Sequence, residues 1–299
     1  MTGFPPQSAP HARAPGRVTI ASARYYSLPT SFALALPLIG ALGVGFLYPV
    51  SKLIALSFSE GTLAQYQRII AEPLHISVFL STLEVAMGVT LASLFLGFPV
   101  AYLMVRLRKG RAMVVAACVF IPLWTSVLIR SYAWVVLLQR NGIVNNLLTD
   151  AGVTDAPLKL IYTHGAVILA MTHVLMPFMI LPIYSALRAL PADYVRAARN
   201  LGAGALRAFV AVTLPLSLPG VFAGSVMCFV LALGFYITPA LVGGPGSMLI
   251  ATLIGQQTIV LLDWPFAAAL STVLLSVTLL FVLLFRRALS FSKGLNNVN

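Results

Sequence analysis

Charge is scarce in this chain. Of 299 residues only 9% are Asp, Glu, Lys or Arg, and the acids number seven. A soluble domain carries about 25% charged residues, so polar side chains cannot cover a globule of this size and the solvent that suits it is lipid. Cysteine is nearly missing too. Cys118 and Cys228 both lie in apolar runs and read as small buried hydrophobes, with neither a disulfide framework nor a CxxC metal pattern. No GxxxxGK[ST] segment offers a phosphate cradle. The GGPGS at Gly243–Ser247 lacks the lysine and the helix start and reads as a turn. HExxH and GxSxG are absent, and His11, His75, His164 and His173 have no ligand spacing. An enzyme, a metal centre and a cofactor bound by this chain are all disfavoured. The net charge of +12 comes from 19 basic residues scattered among apolar runs, a pattern unlike a nucleic-acid surface.

What is abundant is apolar sequence, 60% of the chain. About 20 apolar residues span the hydrocarbon core. Runs of that length predict six crossings, near Ser31–Phe58, Ile76–Val105, Ala112–Leu138, His164–Leu187, Leu214–Tyr236 and Phe266–Phe285. The stretch 247–262 is apolar but carries Gln256, Gln257 and Thr258; it reads as a short re-entrant or interfacial helix, the alternative being a seventh short span. With the N-terminus inside, the inner segments hold Arg13, Arg17, Arg24; Arg106, Arg108, Lys109, Arg111; Arg188, Arg196, Arg199, Arg207; and Arg286, Arg287, Lys293. Asp193 is their only acid. Six spans therefore place both termini in the cytoplasm. The expected organisation is a cytoplasmic tail at 1–29, a transmembrane domain over 30–290 with a functional loop at 188–213, and a cytoplasmic tail at 291–299. The outer segment around 139–163 reads as a short interfacial helix between two turns.

The most informative inner segment is LPADYVRAARNLGAGALRAFVAVTLPLSLPG, Leu190–Gly220. Pro191 suits a first helical position, and Asp193 sits where the helix dipole favours an acid. Leu190, Tyr194, Ala197, Ala198 and Leu201 form one apolar stripe, and Gly202 is a natural stop. A second helix is predicted over about Ala203–Val212, before Leu214 and Pro215 open the next span. Spacing alone leaves two uses for the stripe: receiving a partner protein, or lying in the membrane surface.

The run AARNLGA, followed by Phe209, Val212 and LPLSLPG, resembles the EAA signature of binding-protein-dependent ABC-transporter inner-membrane permeases. Ala197, Ala198, Gly202, Leu214 and Pro215 match that signature, and Arg196 stands where its glutamate would be. Four further stretches resemble the spermidine/putrescine-type members: PLWTSVLIRSYAW (Pro122–Trp134), NGIVNNLL (Asn141–Leu148), LMPFMILPIYSAL (Leu175–Leu187) and FYITPALVGGP…MLIATLIGQQ…DWPFAAAL (Phe235–Leu270). The resemblance implies an all-α membrane protein of the type I ABC importer permease (MetI-like) architecture in the bacterial plasma (inner) membrane. It implies ATP-binding subunits that use ATP and Mg below it, a second permease beside it, and a periplasmic or extracellular solute-binding protein outside.

On that reading Arg196, Ala197, Ala198 and Gly202 meet the ATPase, with Asp193 orienting the helix, and the solute is a polyamine. An acid and aromatic faces suit a polycation. Pathway candidates are therefore Glu84, the one acid inside a span, together with Trp124, Tyr236, Thr238 and Asp263. For Glu84 the competing reading is a protonated inter-helix hydrogen bond. For Trp134 and Trp264 it is the interfacial aromatic belt. Arg130 would repel a polycation; it reads as snorkelling to the outer surface or pairing with an acid. Rival functions are a permease of the same class for another small solute and an ion-gradient-driven secondary transporter. The latter usually shows related halves, and no internal repeat is found.

Overall fold

The computed structural model describes residues 28–59 and 63–295, with side chains at residues 30, 32–59 and 63–287. Of the N-terminal tail expected at 1–29, residues 1–27 lie outside the described residues, as does Glu60, and residues 28 and 29 already belong to the first helix. The helix that closes the chain runs on to Leu295, into the stretch expected as a C-terminal tail. Every regular element among the described residues is helical. The chain divides into two compact units, residues 1–51 and 52–299.

The first unit holds α1 (Leu28–Leu42), a π-helical segment (Gly43–Leu47) and the start of α2 (Tyr48–Leu56). Phe32, Leu34, Leu36 and Leu38 are all exposed, as on a helix apolar all round that faces lipid. The π turn ends two residues before Pro49. Proline has no N–H, and its ring crowds the carbonyl four residues back; a wider i→i+5 turn there keeps the helix continuous.

The second unit is built on three long helices. A short α3 (Ala64–Ala71) precedes α4 (Pro73–Arg106), which α5 (Lys109–Phe120) follows after a tight turn. Next come α6 (Val127–Leu138), α7 (Ile143–Asp150) and α8 (His164–Ala189). On one side of α8 it packs against α4 and on another against α11 (Leu214–Leu233). Val85, Ala86 and Val89 of α4, Met171, Met179 and Ile180 of α8, and Cys228 and Phe229 of α11 share this core. Lipid gives helices no hydrophobic reason to associate, so contact depends on close packing over small residues. Gly220 shows how close: a Cβ there would lie 2.6 Å from both the Ala186 Cβ and the Pro182 carbonyl of α8.

Four helices of this unit are individually long and apolar enough to cross a membrane, 73–106, 164–189, 205–233 and 264–287, and the helical stretch 32–56 is a fifth. The third expected span is not straight. The segments Lys109–Trp124 and Val127–Asp150 meet at 101°, and only when counted as one do they complete six. Pro122 opens a 3-10 turn (Ile121–Trp124), and Thr125 and Ser126 are extended. The Pro122 carbonyl freed by the break accepts from the Thr125 N–H at 3.1 Å and its hydroxyl at 2.7 Å, so the kink leaves that group satisfied.

Between the fifth and sixth spans lie α12 (Ile237–Val242) and α13 (Ile250–Ile259). Ten residues of helix reach about 15 Å, half a bilayer core, so α13 is not a seventh crossing. It buries Leu253 and Gln257, and its first N–H donates to Thr82 Oγ1 of α4 at 2.9 Å. The last helix, α14 (Trp264–Leu295), is capped by Asp263 Oδ1, which accepts from the Phe266 N–H at 3.1 Å. The segment 139–163 does hold the expected short helix, α7. Buried Asn145 pins it: its amide donates to the Gln139 and Leu158 carbonyls and accepts from the Leu158 N–H at 2.9 Å.

Candidate functional site

The loop between α8 and α11 opens with α9 (Ala192–Asn200). Pro191 is its N-cap rather than its first helical residue, and Asp193 lies in the first turn. The helix ends on a paired-bond cap. The Ala203 N–H reaches the Ala198 carbonyl at 3.0 Å, and the Gly202 N–H reaches the Arg199 carbonyl at 2.9 Å. That pattern requires a left-handed residue, and Gly202 has φ +86°.

The second loop helix differs from expectation. It begins at Ala205, covers α10 (Ala205–Ala208), passes through a π segment (Phe209–Thr213) and enters α11 without a stop. Residues 205–233 are one helix of 29 residues. The reason repeats that at Pro49: the π turn ends two residues before Pro215, so the proline is absorbed and does not open a new helix. The base of this rod is fixed to α4, where the Phe209 ring meets Tyr102 edge-on at 5.3 Å and Phe98 at 5.9 Å.

Two faces of the loop are distinct. Val195, Ala198, Ala203 and Ala208 turn inward, and Leu190 packs on the core. Tyr194, Arg196, Ala197, Arg199 and Gly202 are exposed, and Leu201 and Leu206 are exposed by 89% and 77%. Thus Ala198 does not share the outward face with Ala197. Leu201 and Leu206 are the outward apolar side chains. Arg196 donates to Asp193 Oδ1 at 3.2 Å with both side chains in solvent, a pair of small energetic weight.

The pathway candidates do not converge on one site. Glu84 is exposed on α4 among Leu80, Met87 and Leu91, with no ion pair or hydrogen bond among the described residues. Trp124 stands at the kink of the third span, 92% exposed. Thr238 is buried and joined to Ser131 of α6 by a 2.7 Å hydroxyl–hydroxyl hydrogen bond, a tie between α6 and α12. Tyr236 is packed so closely that its ring would lie 2.5 Å from a Cβ on Gly255. Asp263 caps α14 and holds Arg68 of α3 at 2.7 Å, while the Arg68 guanidinium sits 4.0 Å over the Phe266 ring. The pairing of Arg68 with Asp263 carries no local sequence signal, because the two lie 195 residues apart.

Arg130 does not snorkel out, and it pairs with no acid among the described residues. It is 8% exposed, and its Nε and Nη1 have no hydrogen-bond partner among the described residues. Beside it on α6, half-buried Trp134 donates to His173 Nδ1 of α8 at 3.3 Å. No group of three potential metal ligands occurs among the described residues.

A bundle of lipid-length helices with a kinked third span and a rigid, outward-facing loop helix is the build of a membrane transport permease. The sequence agrees. Residues 25–290 match the family described as binding-protein-dependent transport system inner membrane component, and the chain belongs to that family. It is 36% identical over 227 residues to the spermidine/putrescine transport system permease protein PotB of Escherichia coli (strain K12), covering 76% of this chain and 82% of the relative. The inner membrane ABC transporter permease protein YdcU of the same organism is 34% identical over 245 residues, 78% of this chain and 77% of the relative. In fold, the chain is similar to a chain in the crystal structure of a bacterial ABC transporter involved in the import of the acidic polysaccharide alginate. The TM-score is 0.68 at 20% identity, over 87% of this chain and 94% of that one. A second crystal structure, of a bacterial alginate ABC transporter in complex with alginate pentasaccharide-bound periplasmic protein, matches equally well over 86% and 92%.

Proposed function

We propose that this chain forms half of the solute pathway of an ATP-driven importer. Separate ATPase subunits grip the 188–213 loop, a second permease completes the pathway, and a solute-binding protein delivers the solute from outside. Both termini lie in the cytoplasm. The transported solute is a polyamine of the spermidine or putrescine kind, and ATP and Mg are used by the partner ATPase.

The observation that carries this reading is the mechanical form of the loop. A docking helix of nine residues is locked by its cap to a rod of 29 residues that becomes the fifth span. Displacement of α9 by a closing ATPase pair moves α11 directly, without bending a joint at Pro215. The Phe209 contacts carry the same push to α4. Such a rigid element, biased between two positions by nucleotide, gives alternating access. Exposed Leu201, Leu206 and Tyr194, flanked by Arg196, Arg199 and Arg207, supply the apolar contact and charged rim of a protein interface.

Two facts support a polyamine: the PotB relative named above and the carboxylate of Glu84, exposed on a membrane-length helix. An exposed acid on a membrane helix is costly against lipid, so it belongs against water, a cation or a partner chain. The test is uptake of labelled spermidine and putrescine by cells carrying this chain with the subunits encoded beside it. Uptake is expected to need ATP, and Glu84→Gln is expected to raise the apparent KM about tenfold, near 1.4 kcal/mol. Gradient-driven flux by the chain alone in proteoliposomes, or unchanged kinetics in E84Q, contradicts the corresponding part of the proposal.

A further inference from the structure

Behind α9, bordering the docking face at Arg196, lies a cleft of about 330 Å³ between the loop and the ends of α4 and α8. Val105, Leu187 and Leu190 form its apolar wall, and Arg106, Arg196 and Thr213 supply its polar groups.

Thr213 is the informative residue. Threonines in the helices of this chain commonly return their hydroxyl to the carbonyl four residues back, as Thr82, Thr90 and Thr278 do at 2.7 Å. Thr213, at the end of a π turn, does not. Its side chain is 95% buried, and its Oγ1 has no partner among the described residues. A buried hydroxyl left without a partner costs about 1–3 kcal/mol. Arg106 is held in place, its guanidinium 4.9 Å above the Tyr102 ring. Arg196 gives one nitrogen to Asp193 and keeps its other donors. Guanidinium groups in a fixed fork match phosphate oxygens, and basic pockets at the cytoplasmic ends of membrane helices suit anionic headgroups.

We infer that this cleft is a binding site for a phosphate group, with Arg106, Arg196 and the orphan Thr213 hydroxyl as its donors. The apolar wall makes an anionic phospholipid the ligand, its phosphate in the cleft and an acyl chain along Val105 and Leu187. Placing it in the cytoplasmic leaflet rests on the orientation proposed above. A ligand here sits between the loop helix and the spans it moves, and so modulates coupling.

The experiment measures thermal unfolding of the full chain, purified with its accompanying subunits, on adding phosphatidylglycerol, phosphatidylcholine or inorganic phosphate. Phosphatidylglycerol is expected to raise the unfolding temperature by several degrees and phosphatidylcholine is not. Arg106→Gln and Thr213→Val are each expected to cut that shift by about half or more. Without lipid, T213V is expected to unfold no lower than the parent, because it removes an unsatisfied hydroxyl; this separates lost binding from damaged folding. An equal shift with inorganic phosphate keeps the phosphate site but identifies a free phosphate as its ligand. Equal shifts with both lipids, or a phosphatidylglycerol shift that neither substitution reduces, overturns the proposal. Because the readout is ligand binding, failure here leaves the ATPase contact standing, and loss of that contact leaves this site standing.

Discussion

At the scale of single residues, Gly202 carries the most consequence for the least mass. Its φ of +86° closes α9, and a Cβ there would touch nothing within 4 Å. Backbone conformation alone therefore sets the cost of substitution, about 1–2 kcal/mol for an ordinary L-residue. Asn tolerates the left-handed region better than other non-glycine residues. Gly202→Asn is thus expected to retain most uptake. Gly202→Pro, which cannot adopt this φ, is expected to abolish uptake while membrane insertion stays normal. Transport assays on both variants, with immunoblots of the membrane fraction, check this; full uptake in G202P contradicts the rigid-turn account.

The glycine was legible because a C-terminal stop has a fixed conformational demand. The pairing of Arg68 with Asp263 was not, and neither was the orphaned burial of Arg130. Sequence shows which charges exist but not which helices meet.

Among the elements, the three-helix core and the rod of the fifth span matter most. Periodicity and length gave the long helices, because a bilayer demands about 20 apolar residues whatever the fold. They could not give the continuity of residues 205–233. Pro215 ordinarily marks a boundary, and only the preceding π turn lets the helix pass through it. The kink of the third span was hidden for the opposite reason: its apolar run is unbroken while its backbone turns by 101°. Contact between α8 and α11 depends on Gly220, where added atoms meet backbone and the fixed Cβ of Ala186 and not a movable side-chain tip. Gly220→Val is expected to destabilise by about 3 kcal/mol or more, within the upper range for overpacked cores. The measurement is the yield of monodisperse protein in detergent and its unfolding temperature; parental values for both contradict so tight a crossing.

For the whole molecule, scarcity of charge already specified a lipid solvent, and the loop sequence specified the class of machine. What remained hidden was how force enters it. Of the apolar stripe expected on α9, Leu190 and Ala198 face the permease, whereas Tyr194, Ala197 and Leu201 face outward. Spacing places residues on a helix face but does not say which neighbour takes it. The most direct measurement is photo-crosslinking from position 201 in cells actively accumulating the solute, with the lipid-length helix at Leu283 as a control position. The account predicts an adduct between position 201 and an ATPase subunit that changes in yield when hydrolysis is blocked, and none from position 283. An ATPase adduct that never forms from position 201 during active uptake contradicts it.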